Sequence, residues 1–134
     1  MEPAIIFKNL STGYHQKGKD RIVCKGMNGT LMSGQLTCLI GPNGIGKSTL
    51  LRTLAAFQPA IDGDTEFFGK PLGKYSNEEL AKLISIVLTN NSHIKNLTTY
   101  EVIGLGRSPY TGFWGRLSEH DHQIIRQCIQ TVGR

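Results

Sequence analysis

The chain has 134 residues, of which 39% are hydrophobic and 19% charged. These are the proportions of a globular domain with one real core, not of a disordered or fibrous chain. Its net charge of +5 comes from 15 basic and 10 acidic residues. The basic residues are scattered and not interleaved with aromatics, so no nucleic-acid groove is indicated. Cys24, Cys38 and Cys128 stand far apart, and no C-x-x-C pair occurs. That pattern argues against a zinc ribbon or a disulfide framework and fits reduced thiols in the cytoplasm. No stretch reaches transmembrane length, and the first residues lack the basic and apolar regions of a signal peptide.

In chain order, Ala4 to Leu10 reads as a strand broken by Ser11-Thr12-Gly13. Tyr14 and a polar loop from His15 to Asp20 follow. Arg21 to Lys25 is a second strand and Gly29 to Met32 a third. The apolar run Leu36-Thr37-Cys38-Leu39-Ile40, bounded by glycines, predicts a buried strand with Cys38 as a small core residue. A helix is expected from Ser48 to Phe57, with Leu50, Leu51, Leu54 and Ala55 on one face. Gln58-Pro59 should stop it.

Asp62-Gly63 makes a turn, and Asp64 to Phe68 a strand. Ser76 and Glu79 form a capping box for a helix to about Leu83. The β-rich run Ile84 to Leu88 predicts another buried strand, and 89–96 a polar loop that holds His93. A second capping box, Thr98 to Glu101, starts a helix through Val102, Ile103 and Leu105, and Gly106 and Pro109 bracket its end. After the aromatic loop Tyr110 to Gly115, a last helix starts at Ser118. Glu119 and Asp121 lie in its first turn, and Ile124, Ile125, Cys128, Ile129 and Val132 share one face. The shift near Thr98 from mixed α/β to wholly helical divides the chain into 1–97 and 98–134.

Between the expected strand at 36–40 and the helix lies Gly41-Pro42-Asn43-Gly44-Ile45-Gly46-Lys47-Ser48-Thr49. It fits the phosphate-binding P-loop, or Walker A, pattern G-x-x-x-x-G-K-S/T. The glycines let the backbone curl so that several N–H groups face one anion. Lys47 reaches the outer phosphates as a point charge, and Ser48 offers its hydroxyl to Mg²⁺. Thr49 stands where the helix opens, and the positive end of the helix dipole favours negative charge there. His120 and His122 are two apart on a helix and share no face, which argues against a metal pair.

The full string GPNGIGKST is narrower than the generic pattern. It resembles the nucleotide-binding subunits of ABC transporters, as does Gly63-Asp64-Thr65-Glu66-Phe67-Phe68-Gly69 after the first helix. The resemblance covers nearly the whole chain. It implies an α/β P-loop NTPase with a β-rich N-terminal subdomain and the start of a helical subdomain. ATP and Mg²⁺ would be bound at Gly41 to Thr49. Tyr14 holds the position from which an aromatic stacks on the adenine. Thr89 stands where the family places a glutamine that touches Mg²⁺ and the attacking water; threonine is shorter and would act through a water.

This departure, and the segment Gly104 to Gly112, resemble the branch that imports iron chelates, haem and cobalamin. The resemblance further implies transmembrane permease subunits and a second ATP-binding subunit as partners. It places the protein in the cytoplasm, peripheral on the inner face of the plasma membrane. Tyr110, Phe113 and Trp114 lie where the helical subdomain begins, either packed inside it or beside the permease-docking groove.

The family's Walker B Asp-Glu, its Leu-Ser-Gly-Gly-Gln signature and its switch histidine do not occur in these 134 residues. The expectation is therefore an incomplete, N-terminal part of an ATP-driven importer subunit that does not turn over ATP by itself. Two alternatives stay open. One is another P-loop enzyme, although no N-K-x-D motif marks a GTPase and no arginine-rich lid marks a kinase. The other is a non-catalytic nucleotide-binding module.

Overall fold

The computed structural model describes residues 1–16, 18–87 and 96–133. The chain resolves into two compact units, Met1–Leu80 and Ala81–Arg134. The division falls at 80/81, so the compositional shift near Thr98 lies within the second unit.

The first unit is a four-stranded antiparallel sheet with one helix on it. The strands are β1 (Pro3–Gln16), β2 (Lys19–Met32), β3 (Asp62–Phe67) and β4 (Lys70–Pro71), in the order β2-β1-β3-β4. β1 is longer than its sequence suggests. Ser11-Thr12-Gly13 does not end it: Ser11 and Thr12 are buried, and Thr12, Gly13 and Tyr14 all pair with β2. Gly13 is there for close approach, since a Cβ at that position would lie 2.0 Å from the Arg21 carbonyl oxygen.

The expected second and third strands are likewise one strand. Register shifts against β1 absorb the irregular middle of β2, where the Gly26 N–H donates to Ser11 Oγ (3.2 Å). α1 (Lys47–Leu54) is shorter than predicted. It lays Leu50 and Leu54 on Phe7 and Leu10 of β1, and these four form the core cluster. Ile5, Met27, Leu31 and Ala60 pack around it. α2 (Asn77–Leu83) begins at the expected capping box: Glu79 N–H donates to Ser76 Oγ (3.1 Å), and Ser76 N–H donates to the Glu79 carboxylate (2.7 Å).

Two predicted buried strands do not form. Residues 36–40 have no regular structure, and Leu36 and Ile40 are more than 90% exposed. Residues 84–87 are also irregular and Val87 is exposed; Leu88 lies outside the described residues. An apolar run becomes a strand only where a neighbour takes its backbone N–H and C=O groups. Among the described residues no segment pairs with either run. Cys38 is therefore exposed and is not a core residue.

The second unit is helical. α3 (Thr99–Leu105) and α4 (Glu119–Val132) both start at capping boxes, closed by Thr98 with Glu101 and by Ser118 with Asp121. Ile125 of α4 is fully buried and reaches Gly104 of α3. Of the other residues expected on its face, Ile124 and Ile129 are half-buried, while Cys128 and Val132 are exposed. His122 Nδ1 hydrogen-bonds the Tyr100 hydroxyl. Phe113 and Trp114 stand out from the surface, 97% and 83% exposed and edge to face with each other, so neither packs inside the unit. Tyr110 is covered in part by the Arg107 guanidinium, 4.0 Å from its ring centre.

Asp121 ties this unit together. It accepts from Ser118 Oγ (2.6 Å) and Ser118 N–H (2.9 Å), and Arg107 Nε donates to its other oxygen (2.7 Å). The Ser118 hydroxyl and N–H, and then the Arg107 guanidinium, hold its carboxyl well below the usual carboxylate range. Because the folded-state value is depressed, this stabilisation is complete above the unfolded value near about 4 and is lost as pH falls below it. The helical circular-dichroism signal should weaken on acidification through that window. Asp121→Asn should lower stability at neutral pH and flatten the acid response. An unchanged acid response in the variant would remove Asp121 from this role.

Candidate functional site: the Gly41–Thr49 loop

The loop lies between the irregular segment 36–40 and α1. Its chain reversal depends on Gly44 (φ 82°) and Gly46 (φ 104°), both in the left-handed region that favours glycine. Gly46 is the N-cap of α1, and no side chain caps the helix. No acidic residue stands in its first turn, so the positive end of the helix dipole is not neutralised there.

Lys47 is the first residue of α1, and its ammonium turns back over the loop. Nζ donates to the carbonyls of Gly41 (2.6 Å) and Pro42 (2.7 Å). An ammonium has three donors, so one remains for an anion in the loop. Ser48 is exposed beside it, while Thr49 is buried. Pro42, Asn43 and Ile45 lie on the exposed turn, and Ile45 N–H makes a long hydrogen bond to the Pro42 carbonyl (3.5 Å).

Two braces from the sheet fix the loop. The first is Tyr14, near the end of β1, whose hydroxyl hydrogen-bonds Thr49 Oγ1 at 3.2 Å. The residue remains 41% exposed. The structure thus brings Tyr14 to the start of α1 across 35 residues of sequence. The second brace was not visible in the sequence. Between Thr12 and Gly13 the register of β1 against β2 slips, and the bulge turns both Val23 and Cys24 toward the loop. Cys24 Sγ donates to the Ile45 carbonyl (3.2 Å). A Cβ on Gly46 would lie 2.6 Å from Val23 Cγ1 and 2.7 Å from Cys24 Sγ. No residue-type signal marks this pair; only the bulge reveals it.

Thr89 and His93 lie outside the described residues. His15 pairs with Asp20 (2.8 Å). Among the described residues no group of three His, Cys, Asp or Glu could hold a metal ion. Mg²⁺ typically takes few protein ligands and completes its shell with phosphate oxygens and water. The exposed hydroxyl of Ser48, at the start of α1, fits that habit.

Residues 24–134 match the family model described as ABC transporter. The chain belongs to the ABC transporter family. It is 38% identical over 125 residues to an uncharacterized ABC transporter ATP-binding protein of Methanocaldococcus jannaschii, an alignment covering 93% of this chain and 42% of that one. It is 33% identical over 126 residues to the iron(3+)-hydroxamate import ATP-binding protein of Bacillus subtilis, covering 94% of this chain and 45% of that one. The chain therefore spans less than half the length of these relatives. Among solved structures it is similar in fold to a dimeric ATP-binding cassette in a post-hydrolysis state bound to ADP and Pi. That match has a TM-score of 0.74 at 22% identity and covers 94% of this chain and 56% of the cassette. The α/β fold is that of the P-loop ATPase cassettes. No helix among the described residues is long and apolar enough to cross a membrane.

The two loop glycines test the second brace. Gly44→Ala would meet only backbone strain, since nothing lies within 4 Å of its Cβ position, whereas Gly46→Ala adds the collision with β2. Each substitution should cost roughly 1–3 kcal/mol of strain, and Gly46→Ala should cost the more. Urea unfolding curves compare them directly, and equal costs would mean that β2 does not brace the loop.

Proposed function

We propose that this chain is the ATP-binding portion of an ABC importer subunit and that Gly41 to Thr49 holds the phosphates of Mg-ATP. The observation that carries this reading is the uncapped start of α1 with Lys47 folded over a glycine-built loop. Lys47 supplies charge to the outer phosphates. Ser48 offers Mg²⁺ its hydroxyl, and the ion would neutralise charge between the phosphates. Tyr14 stacks on the base. Its placement at the start of α1, with its hydroxyl on Thr49 and the residue partly exposed, supports this role. Thr89 is proposed to reach the metal or its water through a bridging water.

In the whole subunit, ATP hydrolysis would drive uptake through permease subunits, with a second ATP-binding subunit as partner. The subunit would lie on the cytoplasmic face of the membrane. An iron chelate, haem or cobalamin is the proposed cargo, and the iron(3+)-hydroxamate relative supports that class. The apolar runs at 36–40 and 84–87 would find strand partners in that longer chain. No observation favours another P-loop enzyme such as a kinase or a GTPase, and a non-catalytic nucleotide-binding module would use this same loop.

Titration calorimetry with Mg-ATP and with tripolyphosphate separates the two halves of the site. Lys47→Ala should weaken both ligands by roughly ten- to a hundredfold, the worth of a charge-assisted hydrogen bond. Tyr14→Ala should weaken ATP about fivefold and leave tripolyphosphate unchanged. Equal ATP affinity for Lys47→Ala and the parent chain would sink the phosphate assignment.

The 134 residues hold no Asp-Glu after an apolar strand and no signature sequence, so the isolated chain should bind ATP without turning it over. Steady phosphate release that disappears in Lys47→Ala would contradict this.

A further inference from the structure

The tip of the β1–β2 hairpin presents two different faces. Tyr14 pairs directly with Arg21, and His15 pairs with Asp20. Directly paired residues of antiparallel strands share a face, and successive pairs alternate between faces. Tyr14 and Arg21 therefore stand side by side on one face, with His15 and Asp20 on the other.

Two contacts identify the first face. The Tyr14 hydroxyl bonds Thr49 at the start of α1. Val23, two residues along from Arg21 and so on its side, lies against Gly46. Arg21 thus sits at the corner between the Tyr14 ring and the phosphate loop. It is exposed. The nearest carboxylate in sequence, Asp20, is on the far face and engaged by His15 at 2.8 Å. Among the described residues Arg21 has no carboxylate partner.

We propose that Arg21 is a specificity residue of the nucleotide site. Its guanidinium and the Tyr14 ring form one continuous platform for the base, which favours purines over pyrimidines. The inference rests on the phosphate-loop reading above and adds to it a second residue that reads the base. Directly paired side chains start about 5 Å apart, so the planar guanidinium can lie in line with the phenol ring. Arginine stacks on π-systems through that plane, whereas lysine presents only a point charge. A fused purine covers both halves of such a platform. A single pyrimidine ring covers Tyr14 and leaves Arg21 in water.

The test uses the 134-residue chain, with ATP, CTP and tripolyphosphate as probes. The parent chain should prefer ATP to CTP. Arg21→Ala should lose about fivefold in ATP affinity, in line with an exposed cation–π contact. It should change CTP and tripolyphosphate little, so the preference for ATP shrinks. Arg21→Lys, which keeps the charge without the plane, should not restore it. The melting temperature should not move, because Arg21 is exposed. An unchanged ATP-to-CTP ratio in Arg21→Ala would overturn the proposal. Equal losses on all three probes would also do so, by making Arg21 a general source of charge. Lys47→Ala is measured alongside. If it binds tripolyphosphate as the parent does, the phosphate-loop reading fails and this inference falls with it. If Lys47→Ala loses the probe while Arg21→Ala keeps its ratio, only this inference fails.

Discussion

The packing of Leu50 and Leu54 on Phe7 and Leu10 decides where everything else in the first unit can be. A short helix has little stability of its own, so α1 exists because its apolar face is buried on the sheet. Four buried side chains are a small core, and full burial of each is worth about 1.5–3 kcal/mol. They fix the axis of α1 over β1. With the axis fixed, the start of the helix must lie near the end of β1 that carries Tyr14 and near the bulge of β2. The position of the phosphate loop is thus a consequence of two leucines on a strand.

The loop then has to hold an arrangement of like partial charges. An uncapped helix start and an ammonium concentrate positive potential, and no acid in the first turn relieves it. Lys47 relieves part of it by donating to the carbonyls of Gly41 and Pro42. The loop is therefore held in part by its own lysine, which ties the first turn of α1 back to Gly41 and Pro42.

How much of this was legible in the sequence depends on the range of the information. Local signals read well. The capping residues Ser76, Thr98 and Ser118 each start a helix at the expected place, because a cap is settled within four residues. The GPNGIGKST string located the loop and the helix after it. Non-local signals read poorly. Gly13 looked like a strand breaker but marks the close approach of a neighbouring strand. The apolar runs at 36–40 and 84–87 promised burial, but apolar composition records a need for partners without supplying them. Val23 and Cys24 carried no signal at all, since their role depends on a register slip against β1. The bond from Tyr14 to Thr49 carried no signal either, because nothing local links positions 35 residues apart, and the family resemblance marked Tyr14 only as a residue that stacks on the base.

The behaviour of residues 36–40 separates two constraints that usually act together. A phosphate loop is commonly described as a strand, a glycine turn and a helix, as if the strand were needed to present the turn. Here the segment before the turn is irregular and exposed, yet the turn holds its shape. The restraints that the structure shows on it come from elsewhere, the Tyr14 bond to Thr49 among them. The left-handed glycines set the curl. Lys47 closes it from the helix side. Val23 and Cys24 support it from a strand that precedes it by about twenty residues. The apolar residues of the preceding segment answer to a different demand. They need a sheet neighbour. The first unit consequently combines a glycine loop held by its own neighbours with an apolar segment whose structure depends on pairing that the described residues do not provide.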